Sequence, residues 1–255
     1  MNGDNGSGLT RREILLGTTA VLGLGAAASV RAGTPGSAGN IPLARGDTIL
    51  FQGDSITDVG RDREREGEAN RADALGHGYP LILAYELLRD YPDKALAIYN
   101  RGVSGNTVPD LAARWQRDCV DLRPSVLSIL VGVNDIWHKL DGDFDGTVDS
   151  YRRDFTALLA STREALPDIH IVVCEPFALR TGAVDDRWFP EFDERRRAAS
   201  EVAVAAGAHW VALQSLFDGA VIGSVAPGYW AADGVHPTMA GHSLMARAWR
   251  QAVGI

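Results

Sequence analysis

The stretch Thr48-Ile-Leu-Phe-Gln-Gly-Asp-Ser55-Ile-Thr57 decides the fold, because an apolar run ends there in a short polar turn. The β-branched and apolar residues 48–52 predict a buried strand. Ser55, which follows the turn, is a candidate nucleophile. A serine hydroxyl is a poor nucleophile until a base takes its proton, and the base works best when a carboxylate holds its other nitrogen. The alternative interpretation is that Ser55 only caps the helix that follows.

A histidine and an acid stand near the other end of the chain, in the stretch Asp233-Gly-Val-His236-Pro. They are three residues apart, in a loop that precedes the last predicted helix. We assign His236 as the candidate base and Asp233 as the carboxylate that orients it. The alternative is an ordinary loop turn, in which Asp233 caps and His236 is exposed. The last helix contains another histidine, His242, which we interpret as structural.

Strand-like and helix-like segments alternate along the chain. Four more strands are predicted at residues 95–99, 126–131, 169–174 and 209–212. Helices are predicted at residues 79–91, 108–119, 148–166, 193–206 and 239–253. Five strands separated by helices predict an α/β fold with a parallel sheet covered on both faces.

Polar motifs follow the first four predicted strands. They occupy residues 53–57, residues 102–107, residues 132–135 and the stretch Glu175-Pro-Phe. Ligands of such sheets bind beyond the carboxyl ends of the strands. All four motifs are therefore predicted to lie at the edge where an active site belongs.

Three groups are candidates to bind the oxyanion of an ester's tetrahedral intermediate, which needs two or three donors. The backbone N–H of Ser55 is the first. Gly105 can supply a second backbone N–H, because a glycine lets the chain approach a ligand closely. The side-chain amide of Asn134 is the third. Taken alone, the last two motifs would be interpreted as a glycine turn and an Asn-Asp loop.

Three of these motifs, together with the stretch around Asp233 and His236, resemble the sequence blocks of the SGNH (GDSL) hydrolase superfamily. The blocks are Gly53-Asp-Ser-Ile-Thr, the glycine block at 102–107, Gly132-Val-Asn-Asp and Asp233-Gly-Val-His-Pro, in this order. The resemblance implies a flavodoxin-like three-layer α/β/α sandwich with a five-stranded parallel sheet. It also implies four signature residues, which are Ser55, Gly105, Asn134 and His236. By the same resemblance, Asp233 completes the catalytic triad with Ser55 and His236.

A narrower resemblance links the chain to bacterial acetyl-xylooligosaccharide esterases. It rests on residues 51–61, residues 101–108, Arg114-Trp115 and residues 132–137. It implies a serine esterase that removes acetyl groups from small decorated sugars and forms a homo-oligomer. Glu175 departs from the pattern, because an uncharged residue is expected at its position.

Three other functions compete with an acetyl esterase. A lysophospholipase or thioesterase of the same superfamily would take longer acyl chains. A metal-dependent phosphoesterase would need several His and Asp ligands at fixed spacings, and no His-x-His occurs in the chain. A catalytically inactive carbohydrate-binding protein is disfavoured by the complete set of triad and oxyanion candidates.

The candidate substrate-binding residues are Asp54, Trp137 and Trp230. Aromatic rings stack on sugar faces, and both tryptophans fall in or beside the loops of the predicted site. Ordinary packing is an equal alternative for both. The densely charged stretch at residues 61–78 is either a solvated loop, or an active-site flap or inter-subunit contact.

The composition fits one globular domain, which we place at residues 47–255. The 255 residues are 45% hydrophobic and 23% charged, which suits a substantial core. A net charge of −8 makes nucleic acid and anionic membranes poor partners. Cys119 and Cys174 form no metal-ligand pattern, and no metal or cofactor is expected. A disulfide between the two cysteines stays open.

The first 32 residues are similar to a twin-arginine export signal. Arg11-Arg12 precedes an uncharged stretch, residues 14–30, that is too short and weakly apolar for a stable membrane span. No cysteine directly follows that stretch, which argues against a lipid anchor. With residues 33–46 as a spacer, we expect a periplasmic or extracellular enzyme. The alternative is a disordered tail that contains Arg-Arg by chance.

Overall fold

The computed structural model describes residues 39–255, and its centre is a sheet of five parallel strands. The strands are β1 (Thr48–Gly53), β2 (Ala97–Asn100), β3 (Val126–Leu130), β4 (His170–Cys174) and β5 (His209–Val211). Their order in the sheet is β2-β1-β3-β4-β5. The chain leaves β1 toward one edge and later returns to place β3 on the other side of β1. Such a reversal opens a crevice at the carboxyl ends of β1 and β3, where ligands bind.

Ten α-helices surround the sheet in residues 39–255. They are α1 (Ser55–Asp58), α2 (Ala72–Leu75), α3 (Tyr79–Asp90), α4 (Val108–Asp118), α5 (Asn134–Asp141), α6 (Val148–Ala165), α7 (Glu191–Ala205), α8 (Leu213–Ala220), α9 (Pro227–Trp230) and α10 (Met239–Val253). The predicted strands and helices are confirmed, with ends that differ by no more than two residues. The helices that were not predicted, α1, α2, α5, α8 and α9, have eight residues or fewer. No helix of the described residues has the length and hydropathy needed to span a bilayer.

Each face of the sheet carries its own apolar core, because alternate residues of a strand point to opposite sides. Ile49 and Phe51 of β1 face the core that packs against α3 and α10. Leu50 faces the other core, which packs against α4, α6 and α7. The predicted three-layer α/β/α sandwich is therefore confirmed.

The two cysteines are free and buried, and they belong to the cores on opposite sides of the sheet. Burial raises the pKa of both Cys119 and Cys174 to about 12. The disulfide that the sequence left open does not form, because the sheet lies between the two side chains.

The folded domain begins before residue 47. Ile41 is 2% exposed and belongs to the core that contains α10. Its backbone N–H donates to the carbonyl oxygen of Val253 at 2.9 Å. The predicted spacer, residues 33–46, therefore includes residues that belong to the folded domain, because the apolar stretch Ile41-Pro-Leu43 packs on it. The predicted signal peptide, residues 1–32, and residues 33–38 lie outside the described residues.

The charged stretch at residues 61–78 is folded against the edge strand β2. Asn70 donates its backbone N–H to Ile98 at 3.0 Å and accepts the Ile98 N–H on its side chain at 2.9 Å. Arg61 is 6% exposed, and its Nε donates to the carbonyl oxygen of Gly102 at 2.7 Å. The stretch therefore satisfies part of the exposed edge of the sheet, while most of its charged side chains face solvent.

Candidate active site

Ser55 is presented at the start of α1, directly after β1. Asp54 caps this helix, because its Oδ1 accepts the backbone N–H of Ile56 at 3.0 Å. The turn requires glycine at position 53, since a Cβ atom there would lie 2.3 Å from the carbonyl oxygen of Leu130. The order Gly-Asp-Ser therefore has a local reason: the glycine lets β1 pass close to β3, and the aspartate starts the helix that holds the serine.

His236 and Asp233 lie in the loop between α9 and α10. The Nε2 atom of His236 is 2.8 Å from Ser55 Oγ, although 181 positions separate the two residues in the sequence. The Nδ1 atom of His236 is 2.6 Å from Asp233 Oδ2. The structure thus joins the three predicted triad residues in one chain of hydrogen bonds.

The loop that carries this pair is fastened to the segment that follows β4. The backbone N–H of Leu179 donates to the carbonyl oxygen of Gly234 at 2.8 Å. The N–H of Ala183 donates to the carbonyl oxygen of Asp233 at 2.9 Å. These two bonds hold the loop at the carboxyl edge of the sheet.

The carboxyl group of Asp233 is held in its ionised form. Partial burial opposes ionisation, but hydrogen bonds from the ring and N–H of His236 and from the N–H of Val235 outweigh it and lower the pKa of Asp233. The two backbone bonds go to Oδ1, at 2.8 and 2.9 Å, which leaves Oδ2 for the ring. With a proton on Nδ1 shared with Asp233, the lone pair of Nε2 faces Ser55. The arrangement can therefore take the proton of the serine hydroxyl.

The other two oxyanion candidates lie on the loops after β2 and β3. Asn134 begins α5, is 6% exposed and donates its side-chain N–H to the carbonyl oxygen of Asn106 at 3.1 Å. Gly105 has a φ of +83°, which favours glycine. Within residues 39–255, the backbone N–H groups of Ser55 and Gly105 donate to no protein acceptor. Both can therefore receive an oxyanion, and the roles of the three donors stay a prediction.

Two charged side chains hold the loop that carries Gly105, and sequence analysis assigned no role to either. Asp58 Oδ2 accepts both the backbone N–H and the hydroxyl of Ser104, each at 2.9 Å. Arg114 Nε donates to Asn106 Oδ1 at 2.7 Å. Both residues lie in stretches that carry the narrower resemblance, but their contacts depend on how α1 and α4 pack against the loop.

Asp54 is not a substrate-binding residue, contrary to the prediction. Its side chain is 0% exposed, and burial raises its pKa to about 7. Asp135, next to Asn134, is 1% exposed, and burial raises its pKa to about 7 as well. Each carboxyl group has one oxygen without a hydrogen-bond partner among the described residues. Asp54 adjoins Ser55 in the sequence, but the turn directs its side chain inward as the cap of α1.

Of the two candidate tryptophans, Trp137 lies beside the triad. Its ring centroid is 6.0 Å from that of His236 and 5.5 Å from that of Trp188, which is 1% exposed. Trp230 instead lines a groove of about 810 Å³ beside α3 and α10, and neither Ser55 nor His236 lines that groove. The structure thus places Trp137, and not Trp230, next to the catalytic candidates.

Glu175, the residue that departs from the resemblance, caps helix α8. Its Oε2 accepts the backbone N–H of Gln214 at 3.0 Å, and its Oε1 accepts a hydrogen bond from Arg196 at 3.0 Å. Burial raises the pKa of Glu175 despite these partners. The charge at this position therefore has a structural reason that is separate from the triad.

The histidine of α10 is structural, as predicted. His242 is 4% exposed, and its Nδ1 accepts the backbone N–H of Tyr79 at 3.2 Å. Burial lowers the pKa of His242 to about 4, so the ring is neutral near pH 7. A neutral ring suits a hydrogen-bond acceptor inside the domain.

Serine hydrolases activate their nucleophile by placing the serine hydroxyl against an imidazole that a carboxylate orients. In this protein, a flavodoxin-like sandwich carries that arrangement. The chain belongs to the GDSL-like lipase/acylhydrolase family, whose sequence model matches residues 51–244. It is accordingly a carboxylic ester hydrolase with the SGNH fold, as the sequence resemblance implied.

Several characterised or solved proteins are similar to this chain over most of their length. An acetylxylan esterase from Geobacillus stearothermophilus is 36% identical over 214 residues, which cover 83% of this chain and 96% of the relative. A crystal structure of that organism's acetylxylan esterase matches with a TM-score of 0.75 at 32% identity, over 84% of this chain and 97% of that one. A candidate GDSL-like lipase from Parabacteroides merdae matches with a TM-score of 0.81 at 47% identity, over 84% of this chain and 99% of that one.

Proposed function

We propose that this chain is a serine esterase that removes short acyl groups, preferably acetyl, from acetylated xylo-oligosaccharides or related small carbohydrates. The observation that carries the proposal is the surface position of the triad: the side chains of His236 and Asp233 are 45% and 40% exposed. The 36% identity to an acetylxylan esterase, over 96% of that relative, supports the same substrate class.

In the proposed reaction, Ser55 Oγ attacks the acetyl carbonyl carbon while His236 Nε2 takes the hydroxyl proton. The electron pair of the carbonyl bond moves to its oxygen, which accepts hydrogen bonds from the N–H groups of Ser55 and Gly105 and from the amide of Asn134. When the intermediate collapses, the bond to the sugar oxygen breaks, and His236 gives its proton to that oxygen. Water then attacks acetyl-Ser55 by the same steps and releases acetate.

The preference for short acyl groups follows from the surroundings of the triad. Each buried methylene contributes about 0.8 kcal/mol, so an enzyme selects a long chain only through a deep apolar channel. The side chains of His236 and Asp233 are instead nearly half exposed. The groove of about 810 Å³ is lined by residues such as Tyr229 and Leu244, and not by the triad. A longer acyl chain would therefore gain little binding energy.

Trp137 is the proposed contact for the sugar. Because His236 must give its proton to the leaving oxygen, the sugar has to lie on the His236 side of Ser55. Trp137 is on that side, with its ring centroid 6.0 Å from that of His236. An aromatic ring in this place can stack on a sugar face during the reaction.

Rates on acyl esters of two, four and eight carbons, measured beside acetylated xylo-oligosaccharides, test the proposal. We expect kcat/KM to fall steeply from the two-carbon to the eight-carbon ester. We also expect acetylated xylo-oligosaccharide to be a better substrate than an acetyl ester of comparable reactivity without a sugar. Rates that rise with chain length would favour the alternative, a lysophospholipase or thioesterase.

We further propose that residues 1–32 direct export of the folded enzyme. The support is the Arg11-Arg12 pair before a weakly apolar, uncharged stretch. Replacement of both arginines by lysine should leave the precursor in the cytoplasm. Normal export of that variant would contradict a twin-arginine signal.

We propose a homo-oligomer on the strength of the resemblance to acetyl-xylooligosaccharide esterases. Light scattering coupled to size-exclusion chromatography measures the assembly directly. For the full-length chain, a mass near 27.3 kDa at micromolar concentration would identify a monomer and contradict this expectation.

A further inference from the structure

The residues on both sides of Gly105 are held in place by charged side chains. On one side, Asp58 accepts two hydrogen bonds from Ser104, each at 2.9 Å. On the other side, Arg114 donates to the side chain of Asn106 at 2.7 Å. Gly105 itself has a positive φ and no side chain that could fix its orientation. The direction of its N–H therefore depends on how firmly its two neighbours are held.

Arg114 also binds the ends of two strands besides its contact with Asn106. Its Nη1 donates to Gln52 Oε1 at 3.0 Å and to the carbonyl oxygen of Arg101 at 2.7 Å, and its Nη2 donates to the carbonyl oxygen of Gly53 at 3.2 Å. Gly53 is two residues before the candidate nucleophile, Ser55. A single guanidinium group thus connects the end of β1, the end of β2 and the glycine loop.

The side chain of Arg114 is itself fixed. It is 13% exposed and pairs with Asp118, one turn later on α4, at 3.1 Å. A planar guanidinium offers five N–H donors in a rigid fork, which a lysine ammonium cannot reproduce. Arg114 uses these donors to bind three separate segments of the chain, at residues 52–53, at residue 101 and at residue 106.

We propose that Arg114 is a positioning residue, which aims the Gly105 N–H at the oxyanion and which Asp58 assists from the other side. The inference rests on the proposed function, because it assigns Gly105 to the oxyanion site. The amide of Asn134 is coupled to the same device, since it donates to the carbonyl oxygen of Asn106 at 3.1 Å. Arg114 has no direct contact with the reacting atoms and acts by holding the loop that supplies the donors.

The expected signature is a loss of kcat with little change in KM. Oxyanion donors bind the transition state more strongly than the substrate, so a misplaced donor lowers kcat. Misplacement by about 1 Å can reduce rates by about 100-fold. We expect Arg114→Gln to lower kcat roughly 10- to 100-fold while KM changes less than about threefold.

The control variant is Arg117→Gln. Arg117 pairs with the same acid as Arg114, Asp118, at 2.7 Å, but its side chain is 70% exposed and it makes no hydrogen bond to the loop. Its kcat should stay within about twofold of wild type, since surface charge pairs contribute little. Equal losses in Arg114→Gln and Arg117→Gln would overturn the proposal, because the charge of Asp118 would then explain both. Arg114→Lys should show most of the loss, and full activity of that variant would also overturn it.

A second variant tests the proposal if Arg114→Gln does not fold. Asn106→Ala removes the acceptor of Arg114 but leaves the pair with Asp118 intact. It should lower kcat to a similar extent, which can be measured whether or not Arg114→Gln folds. Where Arg114→Gln folds, the kcat of the double variant Arg114→Gln/Asn106→Ala should be no more than about threefold below that of the less active single variant, because the two residues act as one unit. Wild-type kcat in Asn106→Ala, or losses that multiply in the double variant, would contradict the proposal.

These comparisons are made on whichever 4-nitrophenyl ester the wild-type enzyme cleaves fastest. A wild-type preference for long acyl chains would refute the proposed acetyl specificity. The ratio of variant to wild-type kcat could still be measured on the preferred ester. The two proposals can therefore fail separately.

Discussion

Asp233 binds His236 at two places at once. Its Oδ2 lies 2.6 Å from the ring Nδ1, and its Oδ1 accepts the backbone N–H of His236 at 2.8 Å. The same carboxylate thus fixes the position of the residue and the tautomer of its ring. The ring in turn places Nε2 at 2.8 Å from Ser55 Oγ.

Asp233→Asn should lower kcat by about 10⁴ and change KM little. The amide can keep the backbone contact, but its NH₂ group favours the ring tautomer with the proton on Nε2, which cannot act as a base. Steady-state kinetics on a simple acetyl ester measure the effect. A loss of less than about tenfold would show that Asp233 does not orient the base.

Trp137→Ala should raise KM for acetylated xylo-oligosaccharide by roughly tenfold, which corresponds to about 1.4 kcal/mol of lost binding. KM for 4-nitrophenyl acetate should change much less, because that ester carries no sugar to stack on the ring. Trp230→Ala is the matched control, since Trp230 lines a separate groove, and it should affect neither substrate. Equal KM increases for both substrates would assign Trp137 a packing role instead.

Asp135→Asn should stabilise the protein, and more at pH 8 than at pH 5. Burial raises the pKa of Asp135 from 3.8 to about 7, so folding keeps the group protonated where the unfolded chain ionises it. The stability contributed by this group is complete below about pH 4 and is lost as the pH rises through about 7. We expect the melting temperature of the variant to exceed that of wild type by the order of 5 °C at pH 8.

Thermal unfolding of Asp135→Asn at the two pH values measures this difference. Asp141→Asn, an exposed position at the end of the same helix, is the control and should give nearly equal shifts at both. A stabilisation of Asp135→Asn that does not grow with pH would refute the protonated state of Asp135.

Glu175→Ala should lower the free energy of unfolding by about 1–3 kcal/mol and leave kcat and KM nearly unchanged. The substitution leaves the buried N–H of Gln214 without its acceptor and removes the partner of Arg196. Urea denaturation measures the loss of stability. A large change in KM at normal stability would place Glu175 in the substrate site instead.

The longer elements could be predicted from the sequence, because each strand and helix carries a full apolar repeat. Helix α10 illustrates this, since its predicted ends at Met239 and Val253 are those observed. The short helix α8 gave no such signal. Its first turn is capped by Glu175 from the end of β4, a partner 39 positions away from Gln214 in the sequence. Contacts of this kind exist only after the sheet has formed.

Those parts of the candidate site that local sequence motifs encode could be predicted from the sequence. The spacing Asp-x-x-His occurs at Asp135 and His138 as well as at Asp233 and His236, and spacing alone does not separate the two pairs. In the structure, Asp135 is buried and its Oδ1 accepts the N–H of Val108 at 3.4 Å, so it does not orient His138. Asp54 was misassigned for a related reason, because the sequence does not show which way a turn directs a side chain.

Acetate release from acetylated xylo-oligosaccharide, compared between wild type and Ser55→Ala, tests the central claim most directly. Circular dichroism spectra of both proteins would establish that the fold is unchanged. We predict rapid acetate release by the wild type and a loss of about 10⁴ or more in kcat for Ser55→Ala, as is usual when a triad member is removed. Retention of more than roughly a tenth of wild-type kcat by Ser55→Ala would contradict an acyl-enzyme on Ser55.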